Sequence, residues 1–198
     1  MKRILLLLLA AMLLSSCSIF GPTKSNQNTY VLNTLNCNTI HAPPTSITLL
    51  INTPEASQAF DSTQMAYSRC PYELTYYSKN AWVDTPPNML LPLMVQSLQN
   101  TCHYHAVVQP PFADHYDWTV NTQIIALVHD YSTCPSTVRL SVRAQVTNAT
   151  TGKVVAARQF FVVAPDPCNS PYSGVAAANR ATAFFLKELT CFVLQATG

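Results

Sequence analysis

Residues 137–147 (TVRLSVRAQVT) alternate without a break. Val138, Leu140, Val142, Ala144 and Val146 fall on one side of an extended chain, and Arg139, Ser141, Arg143, Gln145 and Thr147 fall on the other. Side chains of a strand point to opposite faces with a period of two, so the pattern specifies a strand with one apolar and one polar face and excludes a helix. Lys153 to Val163 is a second extended run, and the turn-rich stretch Asn148-Ala149-Thr150-Thr151-Gly152 separates the two. The pair reads as a long β-hairpin, and the rest of the chain has to cover its apolar face. In the second strand Val154, Ala156, Phe160 and Val162 oppose Val155, Ala157, Phe161 and Val163. Both of its faces are apolar, so a central or doubly covered position is expected.

The remaining elements are built around that hairpin. Short strands are expected at Tyr30–Leu35, Ile47–Asn52 and Tyr104–Val108, and a longer one at Trp118–Tyr131. Residues 64–69 and 72–77, flanking Cys70-Pro71 and rich in tyrosine, suggest a second hairpin. Thr85 followed by Pro86 is a helix start, and Leu90, Leu91, Met94, Val95 and Leu98 then repeat at helical spacing to about Gln99, with Pro92 as a kink or a delayed start. After a loop opened by Ser170-Pro171, Val175–Ala196 forms a long helix with an inner face of Ala178, Thr182, Phe185, Leu189 and Phe192. Strands, helix, strands and long helix, in that order, give an α+β two-layer sandwich: a mainly antiparallel sheet with two helices packed on it.

The amino terminus belongs to a different category. Met1-Lys2-Arg3 is a short positive region, and Ile4 to Leu14 is an eleven-residue apolar run. That is the length of a signal-peptide core and too short to span a bilayer. Leu14-Ser15-Ser16-Cys17 resembles the bacterial lipobox, in which the cysteine is acylated and becomes the new amino terminus. Residues 1–16 therefore read as a lipoprotein signal, 17–29 as the lipidated end and a polar tether, and 30–198 as the domain. Ser18 after the cysteine, in place of Asp, resembles the pattern sorted to the outer membrane. Losing Lys2 and Arg3 leaves nine basic and nine acidic residues, so the mature domain is formally neutral.

With Cys17 assigned to lipid, six cysteines remain: Cys37, Cys70, Cys102, Cys134, Cys168 and Cys191. An even number in an exported chain favours disulfides. Closing the hairpin at Asn148–Gly152 brings Cys134 opposite the neighbourhood of Cys168, which predicts a bridge at its open end. The residues do not choose among the pairings of the other four, of which Cys70 with Cys102 and Cys37 with Cys191 is one. The cysteines lie about thirty residues apart with no CxxC pair, which excludes the usual structural zinc sites.

Chemistry is sparse. The four glycines are too scattered for a phosphate-cradling loop, no GxSxG elbow is present, and no basic run marks a nucleic-acid surface. His103 and His105 would point the same way on a strand, as two metal ligands could, but no third ligand stands nearby. Asp114, His115 and Asp117 could form an acid–base or metal group, although they occupy a proline-rich loop whose polarity explains them equally well. No catalytic residue, metal or cofactor is expected.

One arrangement is informative as a whole. A lipobox is followed by Tyr30-Val31-Leu32, Met65-Ala66-Tyr67, Cys70-Pro71-Tyr72-Glu73-Leu74-Thr75-Tyr76-Tyr77, Asn80-Ala81-Trp82-Val83-Asp84-Thr85-Pro86-Pro87, a helix ending in Ser97-Leu98, and Tyr104-His105-Ala106-Val107-Val108. This resembles the ABC-type transport auxiliary lipoproteins (PqiC/YmbA-like) over the mature domain, apart from Pro92 and the extra cysteines. The resemblance implies a non-enzymatic partner of an MCE-domain lipid transport system, serving the outer-membrane end of phospholipid traffic across the periplasm. It also implies docking of an MCE protein through the sheet or the Trp82 region. A charge-poor surface suits self-association into a homo-oligomer as well. The alternative class is a lipid-anchored structural or pilot lipoprotein of an envelope or secretion complex, and a periplasmic hydrolase is a third.

Overall fold

The computed structural model describes residues 27–35, 40–111 and 115–198, so Cys17, Cys37 and Asp114 lie outside the described residues. The strands are β1 (Asn28–Tyr30), β2 (Thr48–Ile51), β3 (Glu55–Ala56), β4 (Gln64–Ser68), β5 (Thr75–Trp82), β6 (Ala106–Val108), β7 (Trp118–Asp130), β8 (Ser136–Asn148) and β9 (Val154–Asp166). The helices are α1 (Pro86–Gln99) and α2 (Pro171–Thr197), and a 3-10 turn covers Gln58–Phe60.

The hairpin forms as its alternation requires. β8 and β9 pair antiparallel from Ser136↔Asp166 to Thr147↔Val154, closing through the expected turn, where Gly152 has a φ of 66°. β8 also pairs antiparallel with β7 along nearly its whole length, from Asp130↔Thr137 to Trp118↔Asn148. Val138, Leu140, Val142, Ala144 and Val146 are all buried, at 0–3% exposure, so the face selected by the sequence is the core face.

The other edge of β7 carries three short strands end to end. β2 lies beside Trp118–Val120, β3 beside Gln123–Ile124 and β4 beside Val128–Asp130, all parallel to β7. β6 extends this side from β2 in parallel, β5 continues antiparallel from β4, and β1 runs parallel to β5. The sheet is therefore mixed: its long ladders β7–β8 and β8–β9 are antiparallel, as expected, and most of the short strands join in parallel. β2, β3 and β4 succeed one another along one long strand, so they must all run the same way, a constraint invisible in any of them alone. β1 also begins earlier than the expected strand and takes up the last residues of the expected tether.

Both helices cover one face. On α2, Ala178, Thr182, Phe185, Leu189 and Phe192 are all buried, and Phe160 of β9 meets Phe185 and Phe192 edge to face at centroid separations of 5.4 and 5.7 Å. Ser170 caps α2 through a reciprocal box with Ser173, and Pro171 occupies the first turn, so the helix starts four residues before the apolar periodicity does. In α1 the Thr85 side chain makes no cap bond. Instead Asp84 Oδ1 accepts from Thr85 N at 2.6 Å and Asn88 Nδ2 at 3.0 Å. Pro92 lies inside α1 with its exposed side turned to solvent, where water can satisfy the Asn88 carbonyl that loses its helical donor.

The placement of β9 contradicts the doubly covered position expected for it. Among the described residues β9 pairs with β8 only, and its second face is open, with Phe161 at 64%, Val163 at 48% and Val155 at 42% exposure. The helices cover only one face of the sheet. On the other face the 3-10 turn forms a small separate cluster of Phe60, Ala66 and Val128 over β4 and β7, away from β9.

The first turn of α2 approaches β7 at one point. A Cβ added at Gly174 would collide with the His129 ring, which is itself 5% exposed. Gly174→Ala is expected to lower stability by about 2–3 kcal/mol, as overpacking of a rigid contact does. Denaturant unfolding of the two proteins checks it, and equal midpoints would show that the helix shifts freely.

Candidate functional site: a groove where the chain enters the domain

β1 pairs through Tyr30↔Trp82, and Val83 N donates to the Tyr30 carbonyl at 2.7 Å. The chain then crosses toward α2 and is held by one residue. Asn179 Oδ1 accepts from Asn33 N at 2.9 Å, Thr34 N at 3.2 Å and Thr34 Oγ1 at 3.0 Å, while its Nδ2 donates to the Val31 carbonyl at 3.1 Å. Between β1 and the start of α2 this leaves a groove of about 680 Å³ lined by Tyr30, Val31, Val83, Tyr172, Val175 and Arg180. Tyr172 is 71% and Val83 59% exposed, and Tyr30 and Tyr172 approach at a centroid distance of 6.3 Å. Solvent-exposed aromatic and branched side chains around a concave surface suit contact with an apolar partner surface. Trp82, expected from the resemblance to mark the docking region, is 5% exposed and belongs to the core; its neighbour Val83 points outward. Trp82 ends β5 in the core and Val83 lies just past the strand, a boundary the sequence could not place.

A second cluster has the residue types of a catalytic site without its layout. His129 Nε2 lies 3.0 Å from Asp166 Oδ2 and 3.1 Å from Ser136 Oγ, and Ser136 Oγ also donates to Asp166 Oδ2 at 3.2 Å. In a nucleophilic triad the acid and the hydroxyl bond to opposite ring nitrogens. Here both crowd Nε2, and Nδ1 instead meets the Tyr77 hydroxyl at 3.0 Å, which in turn meets the Tyr131 hydroxyl at 2.7 Å. Ser136 and Asp166 are wholly buried, so no substrate reaches them. Burial holds the His129 pKa below its ordinary value of 6.5, outweighing the attraction of Asp166. For Asp166 burial acts upward, but hydrogen bonds from Ser173 and Cys168 N, with the help of His129 and Ser136, hold the carboxyl below its usual range. The network ties β7, β8 and β9 to the start of α2.

The other candidates are dispersed. His103 and His105 precede β6 and do not share a strand face. His103 is buried with Nδ1 against the Pro43 carbonyl, whereas His105 is exposed. Asp117 Oδ2 accepts from Thr48 N at 2.8 Å, a structural role, and His115 is exposed. No group of three metal-ligating side chains occurs among the described residues. Cys70, Cys102, Cys134 and Cys168 are exposed and Cys191 is half-buried, all as free thiols. The suggested Cys70–Cys102 pairing is excluded. Cys70 follows Ser68, opposite Asp130 at one end of β7, whereas Cys102 precedes His103, which bonds Thr45 beyond the Trp118 end. A 13-residue strand is about 40 Å long, and a disulfide needs α-carbons within about 7 Å.

The described residues form a two-layer α+β domain with an apolar groove at its edge. The chain belongs to the family of ABC-type transport auxiliary lipoprotein components, whose family model matches residues 30–189. A comparison with curated proteins finds no match. Among solved structures, a Xanthomonas campestris protein of the DUF330 family superposes with a TM-score of 0.78 at 22% identity, over 85% of this chain and 96% of that one. An uncharacterized protein gives a TM-score of 0.68 at 14% identity, over 85% and 99% of the two chains. At these identities the likeness establishes the fold.

The depressed His129 pKa has a definite sign. The unfolded chain binds the proton more readily than the folded one, so the His129 contribution is complete above pH 6.5 and is lost as pH falls below that value. Stability measured at pH 7.5 and 5.5 is expected to decline toward acid in the native protein and to decline less in His129→Gln. Identical slopes would remove His129 as the source.

Proposed function

We propose that this protein is an outer-membrane-anchored periplasmic lipoprotein that serves, without enzymatic activity, as the auxiliary component of an MCE-type ABC system moving phospholipid across the cell envelope. The family match over residues 30–189 carries the reading. The lipobox ending in Cys17 and the groove support it. Cys17 lies ten residues before Gln27, where the described chain begins. Ten residues reach at most about 35 Å, so an anchor at Cys17 keeps the groove beside β1 within that distance of the bilayer. No described helix is long and apolar enough to cross a membrane; in this reading the acyl chains on Cys17 make the attachment. Two or more of these give stable anchoring, at about 0.8 kcal/mol per buried CH₂. A formally neutral domain binds its partner by shape and apolar contact more than by long-range steering, and the groove provides that kind of surface.

Palmitate labelling is expected for the wild type and not for Cys17→Ala. The MCE protein is expected to co-purify with the wild-type lipoprotein from detergent extracts and to be lost, by at least about tenfold, from Val83→Glu and Tyr172→Glu. Both positions are exposed and should leave the melting temperature unchanged. Retention of the MCE protein by both variants would move the docking surface elsewhere, and its absence from the wild-type extract would reject the transport role.

Export also bears on the cysteines. The hairpin register ends at Ser136↔Asp166, and Cys134 and Cys168 each lie two residues beyond its end. Asn169 Oδ1 accepts from Ser136 N at 2.9 Å, holding the two segments together. We propose that these thiols form a disulfide in the periplasm, each losing a proton, with the two electrons passing to the disulfide of a thiol oxidoreductase. Peptide mapping of the protein isolated under non-reducing conditions should find Cys134 linked to Cys168. Cys134 found free or joined to Cys70 would refute the register argument.

A further inference from the structure

We propose that β9 is an assembly strand, and that a second copy of this chain adds its own β9 antiparallel along that edge to make one continuous sheet. The inference does not depend on the transport role.

β9 is 13 residues long and, among the described residues, hydrogen-bonds to β8 alone. A long, flat, apolar edge is what monomeric proteins avoid, because its unpaired N–H and C=O groups template another strand. Apart from Pro165 near one end and a register shift beside Val154 at the other, the usual safeguards are missing here. Along the outward row Val155, Ala157, Gln159, Phe161 and Val163 no side chain is charged. The strand's two charges are otherwise engaged: Arg158 pairs with Glu188 of α2 at 3.3 Å, and Asp166 is buried against His129. The apolar residues of this row are the ones for which the sequence calls for cover, and no described residue of the chain supplies it.

The occupant has to present an extended backbone of similar length with an uncharged apolar row. The other outer strands, β1 and β6, span three residues each, too few to match, whereas β9 of a second copy matches in full. Complete overlap of the two 13-residue strands places the two-fold axis at Phe160. Phe161 then faces Gln159 of the second copy, Val163 faces Ala157, and Arg158 faces Val162. Inward and outward rows stay in phase, no like charges oppose, and the α2 layers of both copies remain on one side of the joined sheet. A two-fold contact of this kind uses the same patch on both partners.

The test uses the full-length lipoprotein in detergent. Sedimentation across a concentration series is expected to show a dimer that dissociates on dilution, with amide exchange along 154–166 slowing as the dimer forms. Phe161→Lys and Val163→Lys should each raise the dissociation constant at least tenfold, while Leu74→Lys, at an exposed position in the β4–β5 turn, should leave it unchanged. A monomer at every concentration, a dimer that survives both β9 lysines, or a dimer whose β9 amides exchange as fast as the monomer's would each overturn the proposal. So would protection of β9 by a different protein from the membrane extract in place of the second copy. Because palmitate labelling and MCE co-purification are read separately, failure here leaves the transport role standing.

Discussion

Everything in this domain depends on β8 being paired along both edges while burying only one face. Its partners β7 and β9 run antiparallel to it over almost its full length, and its apolar residues, together with Val120 and Ile124 of β7 and Phe160 of β9, form the floor on which α2 lies. Hydrophobic burial on one side and backbone pairing on two edges act on the same residues, so the register of this three-stranded unit cannot slip by one without exposing the whole core row. The short strands β2, β3 and β4 attach to the remaining edge of β7 and inherit their direction from it.

At the C-terminal end of β7 the polar network completes what packing begins. His129, Ser136, Asp166, Tyr77 and Tyr131 are members of four strands and the segment after β7, and Gly174 brings α2 against the same imidazole. A buried ring with every polar neighbour satisfied fixes how the helix meets the sheet. Asn179, five residues further along α2, then fixes where the chain after β1 crosses. The groove follows from these two attachments, since its walls are β1, the residue after β5 and the beginning of α2.

Much of the fold was legible in the residues. The alternation at 137–147, the turn before Lys153, the run Trp118–Tyr131, the Thr85-Pro86 start and the inner face of α2 all correspond to observed features, because each is a local pattern with one physical solution. The Ser170-Pro171-Tyr172-Ser173 cap was equally legible in principle, as a serine pair three apart around a proline, but reads as a loop when only apolar periodicity is followed. The groove was not legible. Val83 and Trp82 are adjacent apolar residues in β-prone sequence, and only the point at which β5 ends against its neighbours decides that one is core and the other surface. The cluster around His129 was hidden for a related reason: its members lie far apart in sequence and converge only when β7, β8, β9 and the start of α2 are assembled.

By itself the sequence determined the class of domain, the hairpin, the facing of its first strand and the family, because strand alternation and helical spacing are properties of contiguous residues. Tertiary structure alone decided that three short strands run parallel to β7, that Cys70 and Cys102 stand at opposite ends of it, and that the strand with two apolar faces lies at an edge. Strand neighbours and strand order are set by long-range pairing between segments whose local patterns are the same in either arrangement. Two apolar faces therefore tell that a strand is to be covered, and only its position in the sheet shows that no described segment covers the second.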